Sequence, residues 1–171
     1  MGPVTVTLRP LTGDPDEMAE LQTVFEAAPQ YFELTTGLPP GAAEAQSLYI
    51  SLPDGFDYDH KFDWGIRTGA DLVGCIDVLR GWPVEDTAHI GLMLISEDHT
   101  GQGIGRAAFG ALEAELRQWP EITRLRAAVV ATNVQVLPFW RRMGFAETGE
   151  VKPYRYGTLH SESIILEKPL R

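Results

Sequence analysis

Gly101, Gly103 and Gly105 alternate in the stretch SEDHTGQGIGR, after an apolar run and before an alanine-rich one. Residues of this type and spacing can hold an anion. The first N–H groups of a helix have no internal partner, and the helix dipole favours negative charge there. Glycines carry no Cβ, so a phosphate can approach those N–H groups closely. Two phosphate-loop patterns are excluded. No Lys-Ser or Lys-Thr pair follows the glycines, and the dinucleotide pattern GxGxxG would need glycine at position 106, which is Arg106. The lone cysteine, Cys75, sits in an apolar strand pattern and reads as a buried thiol rather than a nucleophile.

The elements that must position this turn follow from hydrophobic period. Residues 88–95 alternate as a strand, with Ile90, Leu92 and Leu94 on one face and His89, Gly91, Met93 and Ile95 on the other. Ile104, Ala107, Ala108, Ala111, Leu112 and Leu116 fall at helical spacing after the turn, and Pro120 ends that helix. Upstream, 61–67 and 72–79 read as strands joined to 88–95 by short turns, an antiparallel meander. Residues 125–130 form a near-continuous apolar strand, the pattern of burial on both faces. Asn133 caps a short helix, 134–142, bent by Pro138. Residues 145–151 and 158–166 read as closing strands around a loop, 152–157. At the N-terminus, 4–8 reads as a strand, with helices after Asp14 and over 42–52. Between those helices, 27–41 is rich in Pro and Gly and reads as irregular, either covering the core or walling a substrate.

Composition sets the class. At 171 residues the chain suits one domain, here divided into an acceptor-side half, 1–71, and a cofactor-side half, 72–171. A net charge of −10 argues against nucleic acid as partner. No apolar run has membrane-spanning length, and the N-terminus lacks the marks of a signal peptide. With one cysteine, no intrachain disulfide or cysteine zinc site can form, and no metal is expected. These features suggest the cytoplasm. Charge is uneven: residues 1–97 hold 16 acidic and 4 basic side chains, and 98–171 hold 8 and 10. Solubility explains this, and so does a cationic partner for the first half and an anionic one for the second.

LMLISEDHTGQGIGRAAFGALE, followed by NVQVLPFWRRMGF, resembles two linked motifs of the GNAT family of N-acetyltransferases. The likeness covers roughly residues 72–170, with Asn133, Phe139, Trp140, Arg142, Gly144 and Phe145 at the family spacing. It implies an α/β fold of α+β type: a mixed, mostly antiparallel sheet of about seven strands flanked by helices, splayed between strands 88–95 and 125–130. It implies acetyl-CoA as co-substrate and transfer of an acetyl group to a primary amine of a small molecule or peptide. The alternatives are a non-catalytic acyl-CoA-binding or sensing module, or transfer of a longer acyl group. Family habit adds a homodimer.

The resemblance also implies roles. The backbone of Met93, Leu94 and Ile95 would line pantetheine, with the Met93 N–H polarising the thioester carbonyl. Thr100, Gly101, Gln102, Gly103, Ile104, Gly105 and Arg106 would take the pyrophosphate, with Asn133 and Trp140 completing the cofactor site. His89 stands where some members carry a glutamate base, and its ordinary pKa suits that work. Glu97 and Asp77 are further base candidates, and Tyr154 and Tyr156 are candidate general acids. The acceptor would lie among the Tyr31–Leu38 segment, Trp82 and the 152–157 loop. Two positions depart from the pattern. Thr100 replaces the usual Arg or Gln, and Trp140 replaces a tyrosine, which leaves no titratable proton there.

Overall fold

The computed structural model describes residues 3–171. Seven strands form one sheet in the order β1-β2-β3-β4-β5-β7-β6. They are β1 (Thr7–Pro10), β2 (Lys61–Thr68), β3 (Asp71–Arg80), β4 (Thr87–Ile95), β5 (Arg124–Val130), β6 (Ala146–Tyr156) and β7 (Leu159–Pro169). The helices are α1 (Pro15–Glu26), α2 (Pro29–Thr36), α3 (Glu44–Ile50), α4 (Ile104–Leu116) and α5 (Leu137–Arg142). Neighbouring strands are antiparallel except β4 and β5, which run parallel because the α4 crossover joins them. The expected mixed, mostly antiparallel seven-stranded fold is therefore the one observed.

Side-chain alternation divides the core between the two faces. Leu94 and Cys75 pack with Leu21 and Phe25 of α1, Phe32 of α2 and Ala45 of α3. Ile76 and Ile90 pack on the opposite face with Ile104, Ala108, Phe109 and Leu112 of α4. Cys75 is fully buried, and that burial pushes its thiol well up. It is a packing residue.

Several boundaries differ from the sequence expectation. The 27–41 segment is not irregular throughout, because it contains α2. Pro29 sits in the first turn, where its missing N–H is harmless, and Gly37 ends the helix in the left-handed conformation. Both breakers are terminators of a short helix. The loop expected at 152–157 is strand: β6 runs to Tyr156 and turns back through Gly157 and Thr158. Pro153 is tolerated because β6 lies at the sheet edge, where one side needs no ladder donor. Pro138 does not bend a helix from within. It stands in the first turn of α5, after a 3-10 segment over Ala131–Val136. Among the described residues, no helix is long and apolar enough to cross a membrane.

Candidate active site

The site begins at a defect in β4. Asp77 pairs with Leu92, but Val78 pairs with Ile90, so Gly91 is an extra residue with no partner on β3. Such a bulge bends its strand and increases the local twist. The parallel ladder between β4 and β5 stops at the same place, with Ile90 opposite Ala127 as its last pair. Beyond it β4 and β5 separate, and the gap is the inner wall of a cleft of about 730 Å³. β5 stays in register with β7 through Val130, so β4 is the strand freed of its neighbour.

Which peptides face the gap follows from the remaining ladder. Ser96 N–H donates to Val73 O at 2.9 Å. Antiparallel pairing alternates along the strand, so Leu94 and Leu92 direct their N–H and C=O groups toward β3. Met93 and Ile95 direct theirs into the gap. Two consecutive outward peptides of an unpaired strand can bind an extended amide chain as an added strand. Their side chains pack against the α4-face core, while Leu92 and Leu94 pack on the other face.

The glycine turn closes the cleft at the end of β4. Gly101 and Gly103 have φ of 75° and 82°, where other residues would be strained. Gly103 is the N-cap of α4 and supplies no side-chain bond, so the N–H groups of the first turn are left without a side-chain cap. No acidic residue stands in that first turn, which keeps the helix end positive. Gly105 is closely packed: a Cβ there would lie 3.3 Å from Phe139 and 3.4 Å from Ile95. The helix end therefore approaches the end of β4 closely. This cradle fits a pyrophosphate joined to an extended arm.

The structure brings most of the expected cofactor residues together. Met93, Leu94, Ile95, Thr100, Gly101, Gly103, Ile104, Gly105, Arg106, Asn133 and Trp140 all line the cleft. Gln102 does not, and its side chain donates to Asp98 O at 3.2 Å. Trp140 is 8% exposed and meets Phe109, Phe139 and Phe145 edge to face, so most of the ring is core and only its margin reaches the cleft. Arg142 also lines the cleft, as do Tyr31 and Val129, which lay outside the expected cofactor set. Burial pushes the Tyr31 phenol up to about 12, so it keeps its proton at neutral pH. Tyr31 is carried by α2, and α2 is fastened by Thr132 Oγ1 donating to Leu34 O and by Tyr154 Oη donating to Thr35 O at 2.6 Å. Its place over the cleft depends on those long-range bonds, while the sequence puts its segment, Tyr31–Leu38, at the acceptor.

Of the expected acid and base groups, only Glu97 lines the cleft. Tyr156 is 49% exposed on β6 and lines neither cavity beside the splay. Tyr154 spends its proton on Thr35, and burial raises its pKa. His89 lies in the fully paired part of β4, before the splay. Arg126 Nη1 donates to His89 Nδ1 at 3.0 Å, and the ring meets Trp82 edge to face. Guanidinium only donates, so Nδ1 is the acceptor and Nε2 carries the ring proton. Burial, and then the Arg126 charge, push His89 down to about 3. A histidine without a free lone pair and with so low a pKa is poorly suited to take a proton. Sequence reasoning missed the Arg126 bond, since it joins positions 37 residues apart across a parallel ladder.

His89 instead lines a smaller pocket of about 270 Å³ with Asp77, Trp82 and Leu52. Gly91 lines both cavities, so they meet at the bulge. Among the described residues, no group of three His, Cys, Asp or Glu side chains is placed to hold a metal ion.

The same architecture recurs in solved structures. An acetyltransferase from Thermus thermophilus is similar with 27% identity and a TM-score of 0.73, over 96% of this chain and 97% of that one. The ribosomal-protein-S18-alanine N-acetyltransferase of Escherichia coli shares the fold at 17% identity and a TM-score of 0.69, over 97% and 94% of the two chains. So does a GNAT family acetyltransferase from Elizabethkingia anophelis with acetyl-CoA bound, at 13% identity and a TM-score of 0.61, over 96% and 97%. No curated protein is similar enough to match the chain. The family model described as Acetyltransferase (GNAT) family matches residues 22–145, which include α2, the bulge, the splay, the glycine turn and α5. This chain belongs to the GNAT acetyltransferase family.

Proposed function

We propose that the chain is an acetyl-CoA-dependent N-acetyltransferase that moves an acetyl group to a primary amine. The observation that carries this reading is the juxtaposition of the Met93 and Ile95 peptides, turned into the splay, with the uncapped N-terminus of α4 at its end. The gap suits the amide-bearing arm of coenzyme A, and the helix end suits its pyrophosphate. Bound there, acetyl-CoA supplies an activated acyl group as a thioester. Arg106 and Arg142, which both line the cleft, add positive charge near the phosphates. The Met93 N–H is the donor for the thioester oxygen. A preorganised donor of this kind typically contributes about 2.7–4 kcal/mol to the barrier.

The amine enters through the smaller pocket, whose walls are Trp82, Leu52, Pro53 and Leu79 and whose charged group is Asp77. A volume of about 270 Å³ holds a small amine or the end of a longer one. A second reading, an acyl-CoA-binding module without catalysis, is favoured by one observation. The cleft position occupied by Trp140 offers no proton for the departing thiolate. A thiolate is itself a fair leaving group, as the free cysteine thiol with its pKa of about 8.5 illustrates, so a general acid is not essential. Calorimetric titration with acetyl-CoA tests the cleft, and no heat of binding would remove both readings. Release of thiol that requires an added amine separates the enzyme from the binding module.

A further inference from the structure

Next to the bulge, the sheet buries three charged side chains in one cluster. Lys61 and Asp63 lie on β2 and Asp77 on β3, on the face that Cys75 shares with α1 and α3. Asp63 and Asp77 are direct partners across the ladder, which puts their Cβ atoms roughly 5 Å apart. Lys61 Nζ lies 2.6 Å from Asp77 Oδ1 and 3.5 Å from Asp63 Oδ1, and all three side chains are under a tenth exposed. Asp63 Oδ1 is sealed from solvent and accepts no hydrogen bond.

Two carboxylates and one ammonium leave a buried negative charge without a counterion, a costly arrangement. A proton resolves it. Burial and the facing Asp77 push the Asp63 carboxyl up to about 8. Lys61 donates directly to Asp77 Oδ1, at 2.6 Å, and not to Asp63. The remaining neighbours do not compensate. His89 across the pocket is neutral, Cys75 on β3 holds its proton, and Arg126 behind His89 is turned to the imidazole. The loop over the pocket, Ser51 to Pro53, brings no titratable side chain. An opening leads out of the cluster. Asp77 lines the small pocket, and its Oδ2 lies against Gly91, where a Cβ would come within 2.4 Å.

On the amine-acetylation reading, we infer that the Asp63–Asp77 pair receives the acceptor's ammonium group and takes the proton that it must lose. The ammonium docks at Asp77 Oδ2, and its charge replaces the proton on Asp63, which leaves to solvent. One N–H bond then breaks, and the nitrogen keeps the electron pair. The proton passes through Asp77 and comes to rest on Asp63. An ammonium and a doubly ionised pair thus become a neutral amine and a singly protonated pair. Asp77 is the catalytic residue. Asp63 and Lys61 act through it and are positioning residues.

The test is a pH titration of the aspartate side-chain carboxyls by carbon-13 NMR, on the whole protein, with ethylammonium chloride as the probe and sodium chloride at equal ionic strength as the control. One carboxyl should titrate near pH 8, and Asp63→Asn should abolish that titration while coenzyme A still binds. Ethylammonium should move the titration down by about one unit, a tenfold effect, and sodium should not. Should Asp63→Asn not fold, the comparison of the two salts on the natural chain decides alone. Ordinary titration of every aspartate, or equal shifts with both salts, overturns the inference. Coenzyme A binding on the same sample keeps the two readings apart. If it is absent while the ammonium effect is present, the acetyl-transfer reading fails and the cation site stands.

Discussion

Asp77 Oδ2 occupies the space in which a side chain at residue 91 would begin: a Cβ built on Gly91 would lie 2.4 Å from it. Gly91 is also the extra residue of the β4 bulge and the first residue beyond the ladder to β5. One glycine therefore opens the splay and leaves room for a carboxylate at its mouth. Its φ is not in the left-handed region, so only this contact opposes a side chain there. Gly91→Ala should displace the Asp77 carboxylate without disturbing the glycine turn. A displacement near 1 Å at a reacting group can cost about 100-fold. We expect kcat/KM for an amine to fall about 10- to 100-fold, with the Kd for coenzyme A changed by less than about threefold. Parallel rate measurements and calorimetry check this, and equal loss of both would place the effect on the fold.

The peptide that faces the thioester can be removed singly. Met93 N–H points into the gap and has no ladder partner, so proline at 93 deletes one donor and no sheet hydrogen bond. Met93→Pro is expected to lower kcat about 100- to 1,000-fold and to leave acetyl-CoA binding within about tenfold. Single-turnover rates read the first effect and calorimetry the second.

The buried carboxyl of Asp63 makes stability depend on pH with a definite sign. Its folded pKa, about 8, lies above the ordinary 3.8, so between these values the folded chain holds a proton that the unfolded chain has lost. The unfolded state then binds fewer protons, and stability falls as pH rises through that window. Asp63→Asn cannot ionise. Its Tm should decline less than that of the natural chain between pH 5 and pH 8, as read by thermal unfolding in matched buffers.

His89 makes the opposite contribution. Its pKa falls from 6.5 to about 3 on folding, so below pH 6.5 the unfolded chain takes up a proton that the folded chain refuses. The stability present above pH 6.5 is lost as pH falls, by about 2 kcal/mol at pH 5. Glutamine at 89 keeps an acceptor for Arg126 and has no charge to gain. His89→Gln should lose less stability than the natural chain between pH 7 and pH 5, and its pH–rate profile for acetyl transfer should keep its shape. Loss of the acid limb of that profile would restore His89 as the base.

The sheet and the glycine turn were legible because each is written in contiguous sequence, whereas the splay followed only from the family resemblance. Alternation marks β4 as a strand but not its faces, because the Gly91 bulge puts Ile90 with the α4-face core and Leu92 and Leu94 on the other face. Continuous apolarity marks β5, and three glycines precede a helical period. The second motif placed Asn133 and Trp140 at the cofactor cleft, but not the burial of most of the Trp140 ring among Phe109, Phe139 and Phe145. Asp77 was among the base candidates, but its grouping with Lys61 and Asp63 was not legible, for a physical reason. Lys61, Asp63 and Asp77 meet through the β2–β3 register, and His89 is silenced by Arg126 on another strand. The bulge at Gly91 appears only when the β3 and β4 partners are counted against each other. The α2 helix is hidden in the sequence because its proline and glycine have the pattern of breakers, although each stands at the helix end that tolerates it.

The most direct measurement is the initial rate of thiol release from acetyl-CoA over a panel of primary amines, with products identified by mass. The account predicts release that requires both protein and amine, with an N-acetylated product to match. Acetyl-CoA that binds in the cleft and yields no amine-dependent thiol with any member of the panel would contradict it.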